Sequence, residues 1–278
     1  MAGLRRAAKL PLAGGVAVIT GAASGIGAAL AEALAARGCG LALADVNTAG
    51  LREVAARLRT PGLKVSEHRL DVADNDAVAA FPDAVLAEHG RVNVVVNNAG
   101  VALGGTFEQV SPADFDWLLA INFGGVVRMT RAFLPVLRRE RASQLVNVSS
   151  IFGIVAPPGQ AAYAASKFAV RGFSEALRHE LEGSPVSVTV VHPGGVRTAI
   201  ATNARRTGLS NSETEAQAKT WAKFLRLAPR DAAERIARGI ERREKRVLVG
   251  RDAQRIAAVQ RLFPVEYWRV IQRGMRRS

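Results

Sequence analysis

Val16-Ala17-Val18-Ile19-Thr20-Gly21-Ala22-Ala23-Ser24-Gly25-Ile26-Gly27 reads as a strand, a glycine loop and the opening of a helix. Val16–Thr20 is short, apolar and β-rich, as a buried parallel strand is. Ile26–Arg37 is Ala/Leu-rich and helical. Glycines between the two let backbone approach a ligand closely, and a helix N-terminus offers free N–H groups to a pyrophosphate. The spacing is Gly-x-x-x-Gly-x-Gly, not the commoner Gly-x-Gly-x-x-Gly, so the strand–loop–helix context carries the reading.

Outward from this stretch, apolar runs alternate with helical stretches, which predicts a parallel α/β sheet. Strands are expected at Leu41–Ala44, Lys64–Leu70, Asn93–Val96, Leu145–Ser149, Val186–Val191 and Arg246–Val249, making about seven with the first. Helices are expected at Thr48–Arg59, Asp74–Glu88, 112–139, Ala161–Glu182 and Asp231–Arg243. Ser111-Pro112-Ala113-Asp114 starts the fourth, with Ser as cap, Pro at the first position and Asp in the first turn. The expected fold is a doubly wound Rossmann-type parallel sheet flanked by helices, with a C-terminal helical extension. Residues 1–14 form a basic segment, 15–250 one catalytic domain and 251–278 a basic amphipathic extension.

Asp45 ends the second strand. A carboxylate there accepts hydrogen bonds from an adenosine ribose 2′-hydroxyl and repels a 2′-phosphate. Neither Val46 nor Ser24 supplies a cation for that phosphate, which favours NAD over NADP. The plainer alternative makes Asp45 a cap for the helix after it.

Tyr163 and Lys167 lie four residues apart, on one face of a helix, and Ser150 lies thirteen residues before Tyr163. A phenol titrates near pH 10, and a fixed neighbouring cation favours its ionised form. Together the residues suit proton transfer to a carbonyl or from an alcohol.

These pieces resemble the short-chain dehydrogenase/reductase family in its compact single-domain form, over residues 15–250. The motifs that carry the resemblance are Thr20–Gly27, Asp71-Val72, Asn97-Asn98-Ala99-Gly100, Asn122, Ser149-Ser150, Tyr163-x-x-x-Lys167 and Pro193-Gly194 with Thr198. The resemblance implies catalysis by Asn122, Ser150, Tyr163 and Lys167, with Tyr163 as acid/base. It implies cofactor contacts at Gly21, Ser24, Gly25, Ile26, Gly27, Asp45, Asp71, Val72, Asn98, Ala99, Gly100, Tyr163, Lys167, Pro193, Val196 and Thr198. Ser149 is expected to be structural. Asn122 is expected to help hold a water relay to Lys167, which lowers the phenol's pKa. Dimers or tetramers are implied, pairing the helices at 112–139 and 161–182 through Val126, Val127, Phe133, Phe168 and Phe173.

Leu103, Phe152, Ile154, Val155, Pro157 and Pro158 are apolar, and no Arg or Lys lies within 151–160. An apolar secondary alcohol or ketone is therefore the expected substrate. Residues 199–228 form the expected lid, with Ala201-Thr202-Asn203-Ala204-Arg205-Arg206 and Trp221 deciding specificity. Reduction of a 3-oxoacyl thioester is the alternative chemistry. A non-catalytic cofactor-sensing or scaffold protein is the alternative class.

The formal charge of +14 belongs to the ends. Residues 226–278 carry a net of +9 and residues 1–14 a net of +3, leaving +2 for the middle. In the extension, Ile256, Val259, Leu262 and Phe263 share a face, and Trp268, Ile271 and Met275 recur beyond Pro264. Packing on the body or a neighbouring subunit is the favoured reading, with contact to an anionic membrane the second. No recognised nucleic-acid module accompanies the arginines, and no nucleic acid is expected. The single cysteine, Cys39, fits a reducing compartment and reads as a turn residue. No metal-ligand spacing appears. The basic, then apolar, start superficially resembles an export signal, but cleavage there would destroy the glycine loop. A cytoplasmic protein, membrane-associated on the second reading of the tail, is expected.

Overall fold

The computed structural model describes residues 8–200, 203–206 and 224–276. Strands β1 (Val16–Thr20), β2 (Gly40–Asp45), β3 (Val65–Arg69), β4 (Val94–Asn97), β6 (Ser143–Val148), β7 (Val186–Pro193) and β9 (Arg246–Val249) form one sheet. Its order is β3-β2-β1-β4-β6-β7-β9, and every adjacent pair is parallel. The sequence runs outward one way from β1 to β3 and the other way from β4 to β9. The strand order therefore switches between β1 and β4, where the carboxyl ends open a crevice for a ligand.

Helices cover both faces because the strands are apolar on both. On one side lie α1 (Gly25–Ala35), α2 (Thr48–Leu58) and α7 (Pro229–Glu241). Leu30 and Leu34 of α1, Leu51 and Val54 of α2 and Ile236 and Ile240 of α7 pack there with Ile19 and Val96. On the other lie α3 (Asn75–His89), α5 (Gly125–Leu137) and α6 (Ala161–Glu180). Phe81, Met129, Phe133 and Leu177 are buried there against Val95, Leu145 and Val188. Burying each such side chain contributes ~1.5–3 kcal/mol.

Helix ends follow local chemistry. The Asn47 side chain accepts from Gly50 N to cap α2, and Asp74 accepts from Asp76 N and Ala77 N to cap α3. Ser111 caps α4 (Pro112–Leu119) through Asp114 N, as its motif predicts. Gly90, at φ 75°, ends α3 in the left-handed conformation that glycine tolerates.

The structure departs from the sequence-based expectation in four places. The single helix expected over 112–139 is interrupted by a π-helical turn, Ala120–Gly124, that carries Asn122. Gly124 and Gly125 weaken helix propensity there, and π turns concentrate at functional sites. A second, two-stranded sheet pairs β5 (Leu103–Gly104) with β8 (Arg205–Arg206). Val126 and Phe133, expected at a subunit interface, are buried in the body instead. Leu103, Ile154 and Val155, expected to face a substrate, are also buried.

The extension forms α8 (Arg251–Leu262) and α9 (Tyr267–Arg276). Ala253, Ile256, Ala257, Tyr267 and Ile271 pack on Ile151, Phe152, Ile154 and Val155. Its inner face is thus covered by the body. The tip is not: Leu262, Phe263 and Val265 are 72%, 47% and 83% exposed.

Candidate active site

The residues singled out in the sequence lie at the carboxyl ends of successive strands. The glycine loop follows β1, Asp45 ends β2, Asn98–Gly100 follow β4, Ser149 and Ser150 follow β6, and Pro193 ends β7. Asp71 and Val72 come just after β3.

Ser24 precedes α1 in an extended conformation, and its side chain makes no cap hydrogen bond. The positive end of α1 is therefore left for an anion. Gly27 is required by close approach, since a Cβ there would lie 2.1 Å from Gly21 O. Three polar side chains fix the loop. Thr20 Oγ1 accepts from Asn98 N and Ala99 N, both at 3.1 Å. Asn98 Nδ2 donates to Thr20 O and Gly21 O at 3.0 and 3.1 Å. Asp45 accepts from Ala23 N at 3.0 Å and Asn47 N at 2.9 Å. Asp45 therefore braces the glycine loop, and the cap of α2 is Asn47. Arg69 on β3 is in register with Asp45 and exposed.

Asn98 spends its side chain on the loop, and the Val72 side chain turns into the core beside Gly125. Asp71 is exposed and accepts from Ala73 N at 2.8 Å. Ile26 packs partly buried against the core. Thr198 lies beside Gly25, whose added Cβ would stand 3.1 Å from Thr198 Cγ2. Val196 is buried and bridges to Leu227. The Pro193–Thr198 segment thus crosses from the end of β7 to the glycine loop.

Ser150, Tyr163 and Lys167 converge after β6. Ser150 lies near enough to the Tyr163 phenol to draw its pKa down, and its hydroxyl accepts from Phe152 N at 3.1 Å. Lys167 Nζ lies 5.6 Å from the centre of the Tyr163 ring and donates to Val148 O at 3.2 Å. Lys167 is only 3% exposed. Asn122 accepts from Val101 N at 2.8 Å and donates to Val101 O at 3.0 Å and Ser166 Oγ at 3.2 Å. Gly100 lies between Asn122 and Lys167, since its added Cβ would stand 3.1 Å from Asn122 Oδ1 and 3.4 Å from Lys167 Nζ. Ser149 Oγ donates to Lys167 O at 2.8 Å.

The protein's own groups do not bring the phenol's pKa down, contrary to the expectation from Lys167. Burial pushes Tyr163 up to about 12, and Ser150 opposes this only in part. Tyr163 as a whole is half-buried. Burial also brings Lys167 down to about 8. A buried ammonium is itself costly, so above that pH the cation beside the phenol is lost.

Residues that brace the site also lie outside the motifs. His192 Nδ1 lies 2.9 Å from Ser150 O, so Nδ1 carries the proton. Burial lowers His192 to about 4, which keeps it neutral, and Nε2 is buried with no partner among the described residues. A histidine inside the apolar run Val190-Val191-His192-Pro193 was its one visible mark. Asp252 carried no such mark.

Of the expected lid, Ala201, Thr202 and 207–223, including Trp221, lie outside the described residues, as does the Arg206 side chain. Arg205 stacks 3.6 Å from the centre of the Trp117 ring, and its Nη1 meets Asp114 Oδ1 at 3.1 Å. Arg205 therefore fastens residues 203–206, within the expected lid, to α4. Burial pushes Cys39 up to about 12, so its thiol is unreactive. Among the described residues no group of three or more His, Cys, Asp or Glu could hold a metal, and no helix is long and apolar enough to cross a membrane.

Residues 15–208 match the family model described as short chain dehydrogenase. SadH of Mycobacterium tuberculosis, an oxidoreductase by name, is 44% identical over 269 residues, covering 94% of this chain and 95% of SadH. A short-chain dehydrogenase/reductase from Burkholderia phymatum, crystallised with NAD, superposes with a TM-score of 0.84 at 31% identity. That match covers 91% of this chain and 94% of the other. A metagenomic short-chain oxidoreductase in complex with NADP superposes with a TM-score of 0.70 at 32% identity, covering 86% and 98%.

Proposed function

The chain belongs to the short-chain dehydrogenase family, and from that premise we propose that it interconverts an apolar secondary alcohol and a ketone with NAD(H). The observation that carries this reading is the convergence of Ser150, Tyr163 and Lys167 after β6, beside the switch-point crevice.

The residues fit a dinucleotide. An uncapped helix end, Gly27 without a Cβ, and Asp45 at the end of β2 suit pyrophosphate and ribose. Gly21, Ser24, Gly25 and Ile26 would lie along the pyrophosphate, and Asp71, Val72 and Asn98–Gly100 along the adenine side of the groove. Pro193, Val196 and Thr198 would hold the nicotinamide end. When bound, the nicotinamide supplies or accepts a hydride, and its oxidised form carries a positive charge.

Tyr163 gives its phenolic proton to the carbonyl oxygen in reduction and takes one from the alcohol in oxidation. Ser150 Oγ donates to the substrate oxygen and stabilises the charge that develops on it. Lys167, charged below about pH 8, favours the phenolate once the proton has left. Asn122 acts by position: it ties the turn after β4 to Ser166 on α6, one residue before Lys167.

NAD is favoured because a carboxylate at Asp45 repels a 2′-phosphate. Arg69 supplies the observation on the other side, an exposed cation in register with Asp45. Binding constants for NADH and NADPH, with wild type and Arg69→Ala, separate the two. A tenfold preference for NADPH that disappears in the variant would overturn the NAD reading. Turnover is tested on apolar secondary alcohols and ketones alongside a carrier-bound 3-oxoacyl thioester. Faster reduction of the thioester replaces the alcohol/ketone reading. Cofactor binding without turnover of any of them leaves the cofactor-sensing reading.

Phe168 is exposed and Val127 and Phe173 are half-buried, which leaves these three for a homo-oligomeric contact. The exposed tip Leu262-Phe263-Pro264-Val265 stands beside Arg261 in a basic extension, which suits an anionic membrane surface. Flotation with phosphatidylserine vesicles tests it: Val265→Asp should release the full-length protein, and equal flotation removes the idea.

A further inference from the structure

The extension beyond Gly250 touches the site at two separated points. At the first, Asp252 in the first turn of α8 accepts from Gly195 N at 2.6 Å. An ionised acceptor makes this a charge-assisted hydrogen bond. The carboxylate sits where no neighbouring side chain fits: a Cβ on Gly194 would lie 2.2 and 2.4 Å from its two oxygens. Gly194 N donates to Val249 O at 2.9 Å. Gly195 O accepts from Arg226 N and Leu227 N, both at 3.0 Å. Gly195 is thus the junction of three chain segments: the turn after β7, the return from the lid, and α8.

At the second point, Tyr267 of α9 accepts from Ala156 N at 3.1 Å through its phenolic oxygen. Tyr267, Ile256 and Ile271 pack with Phe152, Ile154 and Val155. Phe152 in turn stands edge-on to the Tyr163 ring, 6.2 Å between centroids. The segment after Ser150 is therefore held from outside by the extension and touches the catalytic phenol from inside.

We propose that the C-terminal extension is a two-point clamp on the active site. Asp252 positions the cofactor-facing turn Pro193–Thr198, and Tyr267 positions segment 151–156, whose Phe152 meets the Tyr163 ring. The division rests on the proposed reading of the site, in which these segments serve different ligands. Both are positioning residues, acting through Gly195 N and Ala156 N without touching the reacting atoms. The two points lie on different helices, so the clamp is separable: each end affects its own ligand.

The test is a split. NADH binding, measured by fluorescence titration, needs no substrate. In Asp252→Ala the dissociation constant for NADH should rise about tenfold, with the KM of an apolar ketone changed less than twofold. In Tyr267→Phe the KM of the ketone should rise about fivefold and NADH binding should stay within twofold. Asp252→Asn retains an acceptor and loses the charge, so about a threefold rise is expected and provides a milder variant should Asp252→Ala fold poorly. An unchanged NADH constant in both Asp252 variants overturns the clamp. Equal shifts in both constants for both variants, tracking a fall in melting temperature, also overturn it, because that is general destabilisation. Wild type that binds neither NADH nor NADPH removes the reading beneath it, an outcome distinct from wild-type binding with an indifferent Asp252.

Discussion

The turn after β1 and the turn after β7 face the same crevice and are held in different ways. The first is fixed by Thr20, Asp45 and Asn98, side chains at the ends of three adjacent strands. The second is fixed by Val249 O, the backbone at 226–227 and Asp252, all more than 25 residues further along the chain. The first turn is a property of the sheet. The second is assembled by chain that arrives after it. Substitutions in the first should therefore damage cofactor binding outright, and those in the second should tune it.

The largest effect is expected between the two turns, at the phenol both serve. Tyr163→Phe should lower kcat by about 10³-fold, within the usual range for loss of a general acid. Its NADH dissociation constant should stay within twofold. Turnover close to wild type would remove Tyr163 from the chemistry and the comparison's common target with it.

Next is Gly27→Ala in the sheet-built turn. A methyl group 2.1 Å from Gly21 O cannot be accommodated without moving the loop. NADH binding should weaken about 100-fold, an order of magnitude more than for Asp252→Ala. Titration showing the two variants equal would break the distinction between the turns.

A pH profile gives a smaller effect, shared by both turns. Lys167 has its pKa lowered by burial to about 8. The cation is therefore present below that pH and lost above it, and the phenolate formed in reduction loses its support. Carbonyl reduction should fall about tenfold between pH 8 and pH 9.5, since about one-tenth or less of the lysine stays charged a unit or more above its pKa. In Lys167→Arg, whose charge persists throughout, residual activity should lack this limb. A limb that survives the substitution belongs to another group.

The smallest effect concerns the lid's attachment. Arg205→Ala removes the stacking on Trp117 and the contact with Asp114. Such cation–π contacts are worth ~0.5–1 kcal/mol at exposed sites. Ketone KM should rise about two- to threefold and NADH binding should not move, which kinetics with purified variant checks. A shift in NADH binding instead would join the lid to the cofactor turn more tightly than Gly195 alone does.

The contrast between the turns is also one of legibility. Strand–loop–helix spacing, Asp45 at a strand end and Tyr163 four residues before Lys167 are local patterns, and the sheet and its crevice were readable from them. The π turn at Ala120–Gly124 was not, because an Asn and two glycines inside a helical stretch do not declare how the ladder will shift. The apolar residues Ile154 and Val155 read as substrate contacts because hydrophobicity alone does not say which surface will cover a side chain. The extension covers them. Arg205 stood out in the sequence, but its partners Trp117 and Asp114, some ninety residues earlier, did not.

By itself the sequence determined the parallel α/β sheet, the place of the crevice and the three side chains that meet after β6. The sheet and crevice follow from periodicities of two to four residues and from turns whose chemistry is local, and the three side chains from the resemblance to the short-chain dehydrogenase/reductase family. Only the tertiary structure decided what holds Ser150 from behind, through His192, and what clasps the turn after β7, through Asp252. It also decided the ionisation of the site, because a phenol driven to about 12 and an ammonium brought to about 8 are consequences of burial. Burial is set by every segment that packs around a group, and no spacing within one segment records it.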